Sequence, residues 1–141
     1  MKAQRRSPKE PVISALGGGH WKAARDGRLA LQRCDACGQW VHYPSAVCDR
    51  CMSTELSWQD TAGRGTVESF STVYRGFAAE FEQDLPYTVA LVRLDEGVNL
   101  LTWLVGIEPD GAEIGMRVEV EFERISHEIT LHRFHPAETG P

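Results

Sequence analysis

Four cysteines, Cys34, Cys37, Cys48 and Cys51, are all that the 141-residue chain contains, and they form two C-x-x-C pairs with ten residues between them. A C-x-x-C turn aims two sulfurs at one ion about 2.3 Å away, and two facing turns complete a tetrahedron. Gly38, directly after Cys37, lets the backbone amides bend toward the sulfurs with little hindrance. Four thiolates saturate such an ion and leave no position for water or substrate, so the expected site is structural. Zinc is the expected metal, and rubredoxin-type iron uses the same four sulfurs. Dithiol redox chemistry fits less well, because a redox C-x-x-C opens a helix in an α/β pattern and here two pairs lie among strands.

The remaining chemistry-bearing residues form no second motif. His20, His42, His127, His132 and His135 are scattered, with no HExxH pattern, and each reads as a surface or turn histidine. Ser14, Ser45, Ser69 and Ser71 lie in no GxSxG elbow, so with every cysteine committed to metal no covalent nucleophile is left and catalysis by this chain alone is not expected. "GRG" at 63–65 reads as a turn or bulge rather than a phosphate loop, and "GGG" at 17–19 as a hinge. Trp103, inside the run "LLTWLV", is expected in the core. Trp21 and the loop residues Phe77 and Phe81 are the candidates for an exposed binding surface.

These residues need elements to hold them. A basic arm precedes a short helical stretch containing Trp21 and Ala24, with Gly27 as its stop. Such a helix is too short to stand alone, so something must cover Trp21. Next come an extended entry "RLALQR", the two knuckles around "QWVHYP", and an exit strand near "LSWQD". After "TAGRG" the pattern alternates with period two in five runs: "TVESFSTVYR", "YTVALVRLD", "VNLLTWLV", "RVEVEFER" and "EITLHRF". "DEG" at 95–97 joins the second and third as a hairpin. The expected fold is therefore mainly β: an arm and short helix at 1–27, a zinc ribbon at 28–60, a five-stranded OB-like barrel at 61–136 and a tail at 137–141.

Charge narrows the partners. The net charge of −5 divides into +3 for residues 1–60 and −8 for residues 61–141. A phosphate backbone is held mainly by Lys/Arg contacts, so the acidic barrel half argues against nucleic acid. No apolar run approaches the roughly 20 residues of a membrane span, and the basic N-terminal run leads into no apolar stretch. A soluble cytoplasmic protein is expected, where clustered cysteines bind metal rather than pair as disulfides.

The order of these features resembles the family catalogued as domain-of-unknown-function family 35. The resemblance spans about residues 13–136 and rests on Trp21, Gly27, the two C-x-x-C pairs, Pro44, Gly65, Pro86, Gly97, Gly115 and Phe134; His20 departs from it, since members usually carry an aromatic there. It implies an N-terminal helical segment, a rubredoxin-like zinc ribbon and an OB-fold. It further implies a small non-catalytic subunit beside a thiolase-superfamily protein acting on acyl-CoA thioesters, in a hetero-oligomer, expected as a heterotetramer. Settings implied are acetyl transfer, hydroxymethylglutaryl-CoA synthesis and, favoured here, retro-aldol cleavage of steroid side-chain CoA esters. On that reading Arg25, Arg28 and Arg33 lie near nucleotide phosphates of an acyl-CoA shared at the interface, and Phe77 and Phe81 cover apolar surface on the partner. The competing expectation is a stand-alone acyl-CoA or nucleic-acid binding module.

Overall fold

A computed structural model describes residues 10–76 and 79–137. Phe77, one of the two phenylalanines expected on the loop, lies outside the described residues.

The chain opens with α1 (Gly18–Arg25), which buries Ala23 and Ala24. Ser14 Oγ accepts from the Gly17 amide at 3.1 Å, ahead of the first turn. At the other end Gly27 N–H donates to Ala24 O and Arg28 N–H to Ala23 O, while Gly27 takes φ +77°. This is a Schellman stop, which a side chain at position 27 would strain. The glycine triplet expected as a hinge is instead the start of the helix: Gly17 is its N-cap, and Gly18 and Gly19 are inside it. Gly19 sits there because the helix crosses the Trp58 indole so closely that a Cβ would fall 2.5 Å from Trp58 Cδ1.

Three short strands follow as a sheet: β1 (Ala30–Cys34) lies between β2 (Trp40–Val41) and β3 (Leu56–Asp60). Five more then close a barrel in the order β4-β5-β6-β8-β7: β4 (Arg64–Val73), β5 (Tyr87–Leu94), β6 (Asn99–Leu104), β7 (Arg117–Arg124) and β8 (Thr130–Pro136). The ten-residue β4 serves two neighbours. Its first residues pair with β7, its full length pairs with β5, and a register shift between Val67 and Ser69 supplies the bend. A parallel bridge, Leu104 to Phe134, joins β6 to β8. Closure removes the free edges that would otherwise invite aggregation. A 3-10 turn at Ala79–Asp84 occupies the long connection before β5, and the Asp95–Gly97 hairpin forms where "DEG" signalled it, with Leu94 N–H donating to Val98 O.

The barrel core is built from Val67, Val92, Leu100, Val118 and Phe134, and Leu29 and Leu31 from the ribbon side complete it. Full burial of a side chain such as Leu31 contributes about 1.5–3 kcal/mol, so the ribbon and the barrel stabilise each other through a shared core. Trp103, expected in the core, is not there. In β6 the buried positions are Leu100, Thr102 and Leu104, which leaves Asn99, Leu101 and Trp103 on the outer face. An apolar run of this kind fits both faces of a strand, and the barrel register decides between them.

Candidate metal centre and junction pocket

The two knuckles share one backbone pattern. Cys34 N–H donates to Gln39 O and Cys48 N–H to Ser53 O; Gly38 N–H donates to Cys34 O and Met52 N–H to Cys48 O, each at 2.8–2.9 Å. Amides also point at sulfur, from Cys37 to Cys34 Sγ and from Arg50 to Cys48 Sγ, both at 3.4 Å. The residue after each second cysteine takes a left-handed φ, +78° at Gly38 and +65° at Met52. Glycine accommodates this freely, whereas Met52 carries a Cβ penalty of about 1–2 kcal/mol.

Elements outside the knuckles bring them together. Cys34 ends β1 and is buried, as is Cys48. The buried Gln32 on β1 reaches across to Ser45, accepting from its amide at 2.7 Å and donating to its carbonyl at 3.0 Å, which draws the second knuckle over the first. Gln39 bonds Asp49, tying one turn to the other at the surface.

The four sulfurs all lie within 4.8 Å of one another, with Cys34 to Cys51 at 3.5 Å and Cys37 to Cys48 at 3.6 Å. A tetrahedron with metal–sulfur distances of about 2.3 Å requires sulfurs about 3.8 Å apart, and a disulfide would need about 2.05 Å. The cage therefore fits a four-thiolate ion and not a pair of bridges. Backbone donation, chiefly from the Cys37 amide, pulls the Cys34 thiol down to about 7, while Cys51, the other member of the 3.5 Å pair, is raised to about 12, so a cation is what would hold both as thiolates.

The histidines are not distributed as expected. His127 is exposed and His135 half-buried, but His20, His42 and His132 converge with Trp21, Trp58 and Leu101 on a cavity of about 290 Å³. Its walls come from α1, from the ribbon, from Leu100 and Leu101 of β6 and from His132 of β8. His20 and His132 meet edge to face at 5.7 Å, and His132 Nε2 lies 3.1 Å from Leu101 O. Burial pushes His132 and His42 down to about 4, and it lowers His20 as well. At neutral pH the three imidazoles are uncharged. Scattered positions at 20, 42 and 132 carry no local signal of this meeting, which exists only because ribbon and barrel share a core.

Trp21 is half-buried and lines the same cavity. Phe81 packs edge-on against Trp103 at 5.8 Å, and Trp103 itself lies between Tyr87, stacked at 4.4 Å, and the Arg133 guanidinium, 4.4 Å from its ring. The arginines singled out in the sequence have separate engagements. Arg25 donates to the Glu128 carbonyl at 3.1 Å, Arg28 to Asp60 at 2.6 Å and to Asp26 at 3.4 Å, and Arg33 to the Gly38 carbonyl at 2.9 Å with its head over Trp40. Among the described residues no helix is long and apolar enough to cross a membrane.

A four-cysteine ribbon whose core runs into a closed five-stranded barrel, with a short helix laid across the junction, defines the zinc-ribbon and OB-fold class of protein. Residues 21–57 match the ChsH2 rubredoxin-like zinc ribbon domain and residues 58–123 the ChsH2 C-terminal OB-fold domain. The chain belongs to this family, DUF35, and the four cysteines are its structural zinc site. It is 40% identical over 127 residues to a probable enoyl-CoA hydratase alpha subunit of Thermomonospora curvata, covering 90% of this chain but 39% of that one. It is 32% identical to the benzoylsuccinyl-CoA thiolase subunit BbsA of Geobacter metallireducens, over 75% of this chain and 72% of that one. Among solved structures it is similar to a chain of the Ltp2-ChsH2(DUF35) aldolase, with TM-score 0.82, 39% identity, and 90% and 98% of the two chains covered.

Proposed function

We propose that this chain is a zinc-held, non-catalytic scaffold subunit that docks on a thiolase-superfamily enzyme acting on acyl-CoA thioesters. The observation that carries the proposal is the match to the aldolase chain, which extends over 98% of that chain at 39% identity. Cys34, Cys37, Cys48 and Cys51 hold the ion, whose chemistry is that of a closed structural crosslink. Those four are the cysteines of the chain, so we assign the catalytic cysteine of an acyl transfer, or the general base of a retro-aldol cleavage, to the partner. What this chain contributes is a surface in which Gln32 joins the two knuckles and the shared core fixes the ribbon against the barrel.

The favoured setting is retro-aldol cleavage of a steroid side-chain CoA ester in the cytoplasm, by two copies of each subunit with acyl-CoA shared at the interface. A second reading, hydration, is favoured by the Thermomonospora relative's name, although this chain spans only 39% of that protein. Acetyl transfer and hydroxymethylglutaryl-CoA synthesis are the other thiolase-type settings. Co-expression with a thiolase-like partner of the Ltp2 type separates them. Expected are an equimolar complex, aldol cleavage of a steroid-type acyl-CoA by the complex and none by this chain alone. Thioester turnover by the isolated zinc-loaded chain, or no association with the partner, overturns the proposal.

A further inference from the structure

The outer face of a small barrel is ordinarily polar. Here the outward positions of β5, β6 and β8 next to α1 are mostly apolar: Val89, Leu101, Trp103 and Leu131 line one shallow groove, with Arg133, its guanidinium over the Trp103 ring, as the charged member of that face. Leu101 is 52% exposed, and Tyr43 across the cavity mouth is 68% exposed. Leu16 and Ile13, on the segment leading into α1, are exposed as well. Trp21, Leu101 and His132 belong both to this groove and to the cavity, so the two are continuous.

Two further observations identify the occupant. His20, His42 and His132, all uncharged, stand among aromatic and aliphatic side chains, so a charged group seated there would lose its hydration with no opposite charge to compensate, and the buried His42 Nδ1, which has no hydrogen-bond partner among the described residues, could meet no more than a single polar atom. Lys22 and Arg25, on the same helix as Trp21, have no carboxylate partner among the described residues, in a chain of net charge −5. Trp21 and Arg25 are one helical turn apart and share a face. An apolar recess beside a helix whose Lys22 and Arg25 meet no carboxylate among the described residues is complementary to an apolar projection with acids near it. At about 290 Å³ the recess by itself holds one or two large side chains.

Resting on the reading of this chain as a subunit of a thiolase-like enzyme, we propose that the partner seats a large apolar side chain in the recess framed by Trp21, Tyr43, Trp58, Leu101 and His132, with its acidic side chains meeting Lys22 and Arg25. A buried anchor in a desolvated pocket carries most of the binding energy of an interface, and rim charges chiefly set the association rate.

The test uses the full chain and an Ltp2-type partner, with dissociation constants from biolayer interferometry. Leu101→Glu places a charge on an exposed position, and Ile114→Glu, 71% exposed and outside both groove and cavity, is the control. Circular dichroism and zinc content check that both fold. Leu101→Glu is expected to weaken binding by roughly 30-fold or more, and Ile114→Glu by less than about twofold. Lys22→Glu with Arg25→Glu is expected to slow association at low salt and to converge on wild type at high salt. Wild-type affinity in Leu101→Glu, with the wild-type complex intact, overturns this surface and leaves the subunit reading standing; a wild-type chain that does not bind removes both. Intact assembly with loss of octanoyl-CoA binding in Leu101→Glu assigns the recess to an acyl chain and refutes the partner side chain.

Discussion

Replacing Gly19 by alanine separates helix propensity from tertiary packing. From propensity alone, Gly→Ala inside a helix stabilises by about 1 kcal/mol. In the folded protein the new methyl would lie 2.5 Å from Trp58 Cδ1, against a comfortable carbon–carbon separation of about 3.5–4.0 Å. The obstacle is an indole ring that also walls the junction cavity, so α1 must lift or the ring must turn. Overpacking costs about 1–3 kcal/mol, and an approach this close to a rigid indole falls at the upper end, about 2–3 kcal/mol, which outweighs the propensity gain and leaves a net loss of about 1–2 kcal/mol. Gly18 is the internal control, since a Cβ there meets nothing within 4 Å and Gly18→Ala keeps its propensity benefit of up to about 1 kcal/mol. Urea unfolding followed by tryptophan fluorescence should therefore move the two variants in opposite directions, with Gly19→Ala melting roughly 3–6 °C lower in a thermal scan. A Gly19→Ala protein as stable as Gly18→Ala would refute the close crossing of α1 over Trp58.

Three other outcomes follow from the site. Chelation of the metal, or Cys48→Ser, is expected to unfold the ribbon and loosen the barrel with it, because Leu29 and Leu31 belong to both; one zinc per chain by metal analysis and a single coincident melt check this, and an apo chain with an unchanged melt contradicts it. Met52→Gly removes a left-handed Cβ penalty and is expected to raise stability by about 0.5–1 kcal/mol in urea, whereas Gly38→Ala lowers it by about 1 kcal/mol or more. Acid should act through the imidazoles: His42 and His132 titrate near 4 when folded and near 6.5 when unfolded, so the unfolded chain binds the extra protons and stability falls as pH drops from 6.5 to 4. Allowing for their partial exposure, the loss is about 1–2 kcal/mol per imidazole; His132→Asn should flatten the dependence, and an equal slope in that variant contradicts the assignment.

What could be read without coordinates was local or periodic. Two C-x-x-C pairs dictate a four-sulfur site because each turn alone sets the direction of its thiolates, and only their meeting is left to the fold. The "RVEVEFER" run became β7 over the same eight residues because charged and apolar side chains alternate along it, leaving one face for the core. Gly27 marked the helix end because a left-handed stop depends on a single residue. Trp103 was misread for the opposite reason: "LLTWLV" is apolar at odd and even positions alike, and strand register in the closed barrel, not composition, sends Leu100 and Leu104 inward and Trp103 outward. The glycine triplet looked like a hinge because nothing at positions 17–19 mentions Trp58, which approaches from thirty-nine residues beyond Gly19. The histidine-lined recess is likewise a product of the tertiary structure alone. Residues 20, 42 and 132 come from a helix, a ribbon loop and a barrel strand, and they meet because the hydrophobic core shared by ribbon and barrel holds those parts at one mutual angle.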